Sequence, residues 1–326
     1  MTIETNGSTG LVANRSQRQR LHYNSAVDRR LVHRQSLAEV FITDSRQLDG
    51  THSDTFSVGA QLPRTHSYYR TATGNYDTVL LAEVLRQSAI YLAHTYYGVP
   101  LGYRFTMQHL RIESLPWLLP VASRPVDLDI RVLVSDVGER AGVIDGFTIS
   151  LTFKHGHRQV ASGSGFARVF SPGRYRKLRW KGAPPREAAA LTSADPLDPA
   201  SVGKSLTEDV VLAPTADESR WTLRIDPCHP ILFEHPSDHI PGMLIVEAFR
   251  QAGHLWCKQP ISDVTELDVH FDRFGELDIP TEVTITSEPD ASQVRASVTQ
   301  RGDRLAHARL SLADRWSAHP SRDSNE

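Results

Sequence analysis

Two stretches of the chain carry the same three polar residues at the same spacing inside an apolar segment. They are Glu83, Arg86 and Gln87 in residues 79–93, and Glu247, Arg250 and Gln251 in residues 243–257. Neither stretch contains proline, and each is long enough for four turns, which predicts two helices buried on most sides. The Glu, Arg and Gln share one helix face. Because burying such charges costs about several kcal/mol unless they are paired or used, the repeat predicts two ion pairs or two sites.

A histidine-containing loop and a Pro-Gly pair precede the second helix. The run reads His235-Pro-Ser-Asp-His239-Ile-Pro-Gly242, and Glu247 follows its second proline by six positions. Pro and Gly allow a tight start to a helix whose free N–H groups can bind a thioester carbonyl. This stretch resembles the active-site signature of hot-dog 3-hydroxyacyl-carrier-protein dehydratases, in which a carboxylate lines the acyl tunnel.

The match to the dehydratases is incomplete in three respects. Their histidine lies fourteen positions before the carboxylate, where this chain has Phe233 in the second unit and Tyr69 in the first. The histidines present lie elsewhere, at His66 and His235, and the first unit lacks the Pro-Gly pair. Both units also place an arginine after the glutamate, where dehydratases keep a small or apolar residue. These differences count against dehydration.

Composition narrows the class of protein. The 326 residues have a formal net charge of −2, whereas nucleic-acid binders usually present a basic face. No apolar run approaches the ~20 residues of a membrane span, and the first residues lack the pattern of a signal peptide. With only Cys228 and Cys257, a disulfide framework is not expected and a cytoplasmic location is favoured. No ligand spacing recurs among the histidines, so we expect no metal site.

The remaining segments of each unit alternate apolar and polar residues and are predicted to be the strands that position each helix. The predicted strands are residues 36–44, 54–61, 105–112, 126–134, 146–153 and 159–170, then 208–212, 220–225, 264–271, 281–286, 293–298 and 305–312. This pattern predicts an α+β protein with a tandem (double) hot-dog fold. Two long central helices would each be wrapped by an antiparallel sheet, and the two sheets would pair edge to edge.

The domain boundaries follow from changes in composition. We expect a mobile N-terminal lead at 1–30, hot-dog domains at 31–171 and 206–316, a linker at 172–205 and a disordered tail at 317–326. The linker is rich in proline and carries a basic cluster at residues 174–181. That cluster is either a solvated face or a docking strip for an acidic carrier protein or a coenzyme A phosphate.

Several separated motifs resemble the A-factor biosynthesis (AfsA-type) hot-dog family. They lie within residues 60–66, 76–87, 93–100 and 238–251. The resemblance implies transfer of a β-ketoacyl group from an acyl-carrier-protein or coenzyme A thioester to the hydroxyl of dihydroxyacetone phosphate. That reaction is the first step of γ-butyrolactone, butenolide or furan signal synthesis. No cofactor beyond the thioester substrate is implied, and the double fold is compatible with a monomer or a homodimer.

Such a transfer needs a base for the hydroxyl proton, donors for an oxyanion and a cation for the phosphate. We assign Glu247 or Glu83 as the base or acceptor-orienting group, and Arg250 or Arg86 as the phosphate or oxyanion partner. The Gly242 backbone is expected to contact the thioester, and since only the second unit keeps Pro-Gly, its site is preferred. Further substrate contacts are predicted at His235, His239, Gln251, Gln87 and His66.

Other interpretations of the same residues stay open. Each Glu–Arg pair could be a buried ion pair that ties helix to sheet, and each Gln a satisfied core amide. A hot-dog dehydratase or thioesterase would use His235 and Glu247. A binding protein would hold an acyl or lactone ligand without turnover.

Overall fold

A single antiparallel sheet of twelve strands runs through both halves of the protein. The computed structural model describes residues 20–48, 54–181, 194–288 and 293–314. The strands are β1 (Ile42–Gln47), β2 (Thr55–Leu62), β3 (Arg104–Ser114), β4 (Val126–Arg140), β5 (Val143–His155), β6 (Arg158–Phe170), β7 (Leu212–Pro214), β8 (Arg220–Leu223), β9 (Ser262–Phe271), β10 (Thr281–Ile285), β11 (Val294–Gln300) and β12 (Asp303–Asp314). The helices are α1 (Thr78–Tyr96), α2 (Pro172–Trp180) and α3 (Gly242–Cys257).

The two halves of the sheet have equivalent strand orders on either side of the central pair, β3 and β9. The strand order is β1-β2-β4-β5-β6-β3-β9-β12-β11-β10-β8-β7, so each half ends at the centre in the strand that follows its helix. In the central pair His109 lies opposite His270, and Glu113 lies opposite Glu266. The predicted double hot-dog fold, with its halves joined edge to edge, is confirmed.

Helix α1 is buried because it lies against the sheet near the seam between the two halves. It packs on β3, β6 and β9, and its apolar residues belong to the common core. The Asp77 side chain accepts a hydrogen bond from Val79 N at 2.8 Å, which supplies a partner for a free N–H group of the first turn. Beyond the last turn, Gly98 has a φ of 62°, and Pro100 follows.

Helix α3 occupies the equivalent place in the second half and packs on β9, β10, β11 and β12. It begins after Pro241, and no side chain caps its first N–H groups. Gly253 faces β12 at a point where an added Cβ would collide with the Leu310 side chain. The close approach of helix to sheet therefore depends on a glycine within the helix.

The strands predicted at 36–44 and 208–212 are wrong at their starts. Both regions begin as 3-10 helices, Leu37–Glu39 and Thr207–Asp209, and the strands follow later. The first 3-10 helix is set by a local contact, because the Ser36 side chain accepts a hydrogen bond from Ala38 N. Each turn directs an acidic side chain inward, Glu39 in one half and Asp209 in the other.

The predicted linker contains regular structure and part of the second unit. Pro172 occupies the first turn of α2, and Tyr175 on that helix is buried. Residues 182–193 lie outside the described residues, but Lys204, near the end of the predicted linker, is buried beside α3. The second unit therefore begins before residue 206.

The two chain ends extend beyond what the structure describes. The predicted lead at 1–30 lies outside the described residues up to position 19, and the predicted tail at 317–326 lies wholly outside them. Order begins before Leu31, since Val27 N donates to Ile42 O at 3.0 Å. Within the described ranges, no helix combines the length and apolar character needed to cross a membrane.

Candidate active site

The first cluster is built around the fully buried carboxylate of Glu83 on α1. Arg86 donates from Nε to Glu83 Oε2 at 2.8 Å and from Nη2 to Oε1 at 2.9 Å, one turn further along the helix. Arg34, from the loop before β1, places Nη2 2.5 Å from Oε1, and Gln87 Nε2 donates to the same oxygen at 2.7 Å. Both carboxylate oxygens therefore already have charge-assisted partners.

The charges around Glu83 hold it ionised. Burial by itself would raise the pKa of Glu83, but Arg34 and Arg86 outweigh that effect and lower the pKa to about 2. A carboxylate that is saturated with donors and this weakly basic is a poor acceptor for a substrate proton. The sequence-based role of Glu83 as base is not favoured, whereas a role in holding Arg86 is.

Gln87 completes the first cluster by connecting α1 to the segment before β1. Its Oε1 accepts from Phe41 N at 3.0 Å, and its Nε2 also donates to Glu39 O at 2.7 Å. Gln251 makes the same connection in the second half, to Val211 N and Asp209 O. Both amides are therefore satisfied inside the protein rather than free for a ligand.

The second cluster repeats this arrangement around Glu247 on α3. Arg250 donates from Nε to Glu247 Oε2 at 3.0 Å and from Nη2 to Oε1 at 2.6 Å, and Gln251 Nε2 donates to Oε1 at 2.6 Å. Lys204 takes the place of Arg34, with Nζ 3.5 Å from Glu247 Oε1. Against the effect of burial, Arg250 and Lys204 lower the pKa of Glu247 to about 2.

The two clusters differ in the solvent exposure of their basic side chains. The Arg86 side chain is 17% exposed, whereas Arg250 is 3% and Lys204 is 2% exposed. Tyr68 closes the second cluster, because its ring centroid lies 3.5 Å from Lys204 Nζ and its carbonyl accepts from that nitrogen at 3.2 Å. The expectation that Glu247 and Arg250 form the better site is therefore not supported by burial.

Each cluster is covered by the loop that precedes the helix of the other half. Tyr68 and Asp77, which precede α1, act electrostatically on Arg250 of α3. In return, the loop before α3 reaches the first cluster, where Glu234 Oε1 accepts from Gln35 N at 2.5 Å and Ser36 N at 2.6 Å. Each cluster is thus built from residues of one half and covered by a loop of the other.

His235 lies with the first cluster and not with Glu247. Burial lowers the pKa of His235, the Pro236 carbonyl at 3.2 Å opposes this, and the positive charges of Arg86 and Arg34 lower it further. The pairing of His235 with Glu247, on which the dehydratase and thioesterase alternatives depend, is not seen. The preceding residue, Glu234, binds the backbone of Gln35 and Ser36, which places half-buried His235 near the first cluster.

Further basic groups lie near the partly exposed side chain of Arg86, and the region of Arg86, His33, His235 and Arg104 is called the opening here. Burial and then the positive charge of Arg86 lower the pKa of His33 to about 3, with smaller contributions from His94, His235 and Arg104. Arg104 begins β3 and is exposed. A concentration of cationic groups around a partly exposed guanidinium suits a negatively charged ligand.

The remaining predicted site residues have structural partners. His66 is buried, with Nε2 3.2 Å from Glu39 Oε1 and Nδ1 accepting from Tyr68 N and Tyr69 N. His239 Nδ1 lies 2.6 Å from Asp238 Oδ1, away from both glutamates. Gly242 opens α3, where an added Cβ would make ordinary contact with Phe271 at 3.5 Å; its thioester contact stays a prediction.

Helix α2 is anchored beside these groups through one of its faces. Tyr175 OH donates to Asp238 Oδ1 at 2.9 Å, and Arg179 pairs with Glu276 at 2.6 Å. Arg104 lies over the Tyr175 ring at 5.9 Å, which connects the helix to the opening at Arg86. The basic cluster at 174–181 is therefore a docked helix with its other face in solvent.

A group of possible metal ligands lies on the face of the sheet opposite the core. Among the described residues, His109, Asp268 and His270 place their ligand atoms within 4.8 Å of one another. The Asp268 carboxylate is already engaged, by Arg309 Nη2 at 2.7 Å and His109 Nε2 at 2.8 Å. Sequence spacing does not reveal this group, because it forms only where β3, β9 and β12 lie side by side.

Sequence reasoning missed Arg34 and Lys204, the cations that complete the two clusters. A signal was present: each lies five positions before an inward-facing acid, Glu39 or Asp209, in the two halves. Extending the comparison of the halves to the segments before the first strands would have found the pair. Tyr68 carries no comparable signal, since its contacts cross from one half to the other.

Comparison with known proteins places these features in a family context. Residues 16–171 and 187–312 match the A-factor biosynthesis hotdog domain. The "2-oxo-3-(phosphooxy)propyl 3-oxoalkanoate synthase" of Streptomyces virginiae is 38% identical over 78% of this chain and 85% of its own length. The protein of the same name from Streptomyces griseus is 34% identical over 76% of this chain and 82% of its own length.

Among solved structures, an acyl-ACP thioesterase from Bacteroides thetaiotaomicron VPI-5482 is 8% identical. Its TM-score with this chain is 0.49, over 79% of this chain and 98% of that one.

We expect Glu247→Gln to destabilise the protein by about 3–5 kcal/mol at pH 7, because Arg250 and Lys204 would lose a buried counter-charge. The pKa of Glu247 falls from 4.5 to about 2 on folding, so its contribution is present above pH 4.5 and is lost as the pH falls towards 2. The difference between wild type and variant should therefore narrow over that interval, as measured by urea unfolding at several pH values.

The matched control is Glu282→Gln, which removes the exposed partner of Arg220. Its unfolding free energy should change by no more than about 0.5 kcal/mol. Equal stability of Glu247→Gln and wild type at pH 7 would contradict a buried ion pair at this position.

Proposed function

Because the chain belongs to the A-factor biosynthesis hotdog family, we propose that it esterifies dihydroxyacetone phosphate with a 3-oxoacyl group. The names of the relatives describe a 3-oxoalkanoate ester of a 2-oxo-3-(phosphooxy)propyl alcohol, and that alcohol is dihydroxyacetone phosphate. The acyl donor is a thioester, from which an alcohol can form an ester without oxidation or reduction. We propose that this step needs no cofactor, and that it begins the synthesis of a butyrolactone or butenolide signal.

The observation that carries this proposal is the geometry of Arg86. Glu83 binds the Nε and Nη2 sides of its guanidinium, so the remaining N–H groups are held in a fixed direction. With 17% of the side chain exposed and further positive charge at Arg104, the group is suited to bind the phosphate of the acceptor. Fixing the phosphate would orient the acceptor hydroxyl towards the thioester carbonyl.

We propose that the first cluster is the active one and that the second has become structural. Arg250, Lys204 and Tyr68 are all nearly inaccessible, so a phosphorylated acceptor has no space beside Arg250 unless Tyr68 moves. The sequence-based preference for Glu247 and Arg250 rested on Pro-Gly before α3. Glu234 and His235, in that same loop, lie near the first cluster, and we propose that the Gly242 backbone at the start of α3 contacts the thioester there.

We further propose that the donor is presented by an acidic carrier protein that docks on α2. While Tyr175 and Arg179 anchor one face of this helix, Arg176, Lys177 and Lys181 are exposed on the other. Leu178, between them, is 52% exposed and would add apolar contact. Opposite charge on a partner would steer it to this helix, beside Arg104 and the opening.

The direct test is incubation of the purified protein with a 3-oxoacyl thioester and dihydroxyacetone phosphate, followed by mass spectrometry. We expect the phosphorylated ester and free thiol in equal amounts, and no ester when the acceptor is omitted. Thioester loss at the same rate without the acceptor would instead identify a thioesterase. Retention of the intact thioester would identify a binding protein, and loss of water from a 3-hydroxyacyl thioester a dehydratase.

We expect Arg86→Gln to lower kcat/KM for the phosphorylated acceptor roughly 10- to 100-fold, since a hydrogen bond to a charged group contributes about 1.5–3 kcal/mol. Unphosphorylated dihydroxyacetone should lose the advantage of the phosphate and react equally slowly with both enzymes. Arg250→Gln is the matched comparison at the second cluster. Arg250→Gln should lower the free energy of unfolding while the folded protein keeps its kcat/KM. Loss of kcat/KM in Arg250→Gln but not in Arg86→Gln would place the active site at Glu247.

For α2, we expect the double change Arg176→Glu and Lys177→Glu to raise KM for a carrier-protein thioester roughly tenfold or more. The same acyl group on coenzyme A should show a much smaller change, because it lacks an extended acidic surface. The double change Arg131→Glu and Lys154→Glu, at exposed positions on β4 and β5, controls for the change in net charge. Equal losses with both donors would argue against docking of a carrier protein on α2.

A further inference from the structure

His33 adopts a backbone conformation that a histidine rarely adopts. It follows the 3-10 helix Arg29–Val32 with φ 54° and ψ 53°, in the left-handed region. The equivalent residue of the second half is Gly203, with φ 70° and ψ 25° after the 3-10 helix Pro199–Val202. Glycine is the natural residue for this conformation, so the first half retains a histidine at a cost in free energy.

A hydrogen-bond relay fixes which nitrogen of His33 carries a proton. His94 Nδ1 lies 2.7 Å from the Val99 carbonyl, which can only accept, so this nitrogen is the donor. In neutral His94 the other nitrogen, Nε2, must then accept, and it lies 2.9 Å from His33 Nε2. His33 Nε2 is therefore the protonated nitrogen, and Nδ1 carries the free lone pair.

His33 lies next to the first cluster, because its chain neighbour Arg34 pairs with Glu83 at 2.5 Å and its own ring contacts His94 on α1. The groups that act on this ring are Arg86 and His94 from α1, His235 from the loop before α3, and Arg104 from β3. Phe105 packs against it edge-on at 5.3 Å. Half-buried His33 has no protein partner for Nδ1 among the described residues, so that atom is available to a ligand.

The transfer needs a general base other than Glu83, because the Glu83 oxygens already accept from Arg34, Arg86 and Gln87. We propose that His33 is the general base of the transfer, acting on the acceptor hydroxyl through Nδ1 while His94 holds its ring and tautomer. This inference rests on the proposed function of the first cluster.

The proposed step balances as follows. His33 Nδ1 accepts the hydroxyl proton of dihydroxyacetone phosphate as the oxygen attacks the thioester carbonyl carbon and the C–O bond forms. The tetrahedral intermediate then collapses, the C–S bond breaks, and the proton passes from His33 to the leaving sulfur. The products are the ester and a free thiol, and His33 returns to its neutral form.

Binding of the phosphate would also raise the pKa of His33. Burial and the positive charge of Arg86 lower the pKa of His33 to about 3 in the free protein, which keeps it neutral but weakly basic. A phosphate on Arg86 and Arg104 offsets those charges and raises the pKa. The histidine would therefore become a better base when the phosphorylated acceptor is in place.

The test uses His33→Gly, which reproduces Gly203 of the second half and removes the strain, so the variant should fold. We expect kcat for ester formation to fall roughly 10²- to 10⁴-fold, the usual contribution of a general base. Added imidazole should restore a large part of the lost rate by filling the vacated space. A series of substituted imidazoles should rescue in the order of their basicity.

His33→Asn provides a second variant, since asparagine tolerates the left-handed region but has no basic nitrogen. It should lose activity to a similar degree, with little change in KM for the acceptor. Imidazole should not accelerate wild type or Arg86→Gln. Wild-type turnover in either His33 variant, or a folded His33→Gly that is inactive at every imidazole concentration, would overturn the assignment. Absence of ester formation by wild type would instead refute the proposed function.

Discussion

An ionised carboxylate inside a protein requires partners, and this protein buries one in each half. Glu83 and Glu247 are both fully buried, and each is held by an arginine one turn along its own helix and by a glutamine. The third partner, Arg34 or Lys204, comes from the segment before the first strand of the same half. Because removing the glutamate would leave two largely buried cations without a counter-charge, these contacts tie each helix to the segment that precedes its sheet.

Both clusters satisfy this constraint, but they differ in their exposure to solvent. A cluster closed by Tyr68 fixes α3 to the loop before α1, and its residues need no access to a ligand. The other cluster is covered by Glu234 and His235 from the opposite loop and leaves part of Arg86 exposed. Exchange of loops between the halves therefore leaves one cluster closed and the other with a partly exposed arginine.

At the first cluster, electrostatics suit Glu83, Arg86 and His33 to different roles. A carboxylate whose two oxygens already accept from Arg34, Arg86 and Gln87 has no free oxygen for a substrate proton, but it can hold a guanidinium in a fixed orientation. Excess positive charge around Arg86 favours a phosphate, and burial together with the same charge lowers the pKa of nearby His33 in the free protein. Phosphate recognition and proton transfer would then be coupled through one charge distribution, without movement of the backbone.

The sequence by itself determined the repeated helices, the positions of most strands and the buried Glu–Arg–Gln sets. These depend on local periodicity and on spacing within one helix, which a single chain records directly. The 3-10 helices before β1 and β7 escaped prediction because local turn contacts replaced strand pairing there.

Which cluster is open was decided only by tertiary structure. The Pro-Gly signal before α3 pointed to Glu247, yet His235 in that loop lies beside Arg86, because the loop of each half packs on the other half. The closure of Arg250 by Tyr68 and the relay from His33 to His94 both join residues far apart in the chain. The partial exposure of Arg86 likewise depends on the packing of distant segments. No periodicity encodes contacts of that kind, since they depend on how loops and helices from distant parts of the chain pack together.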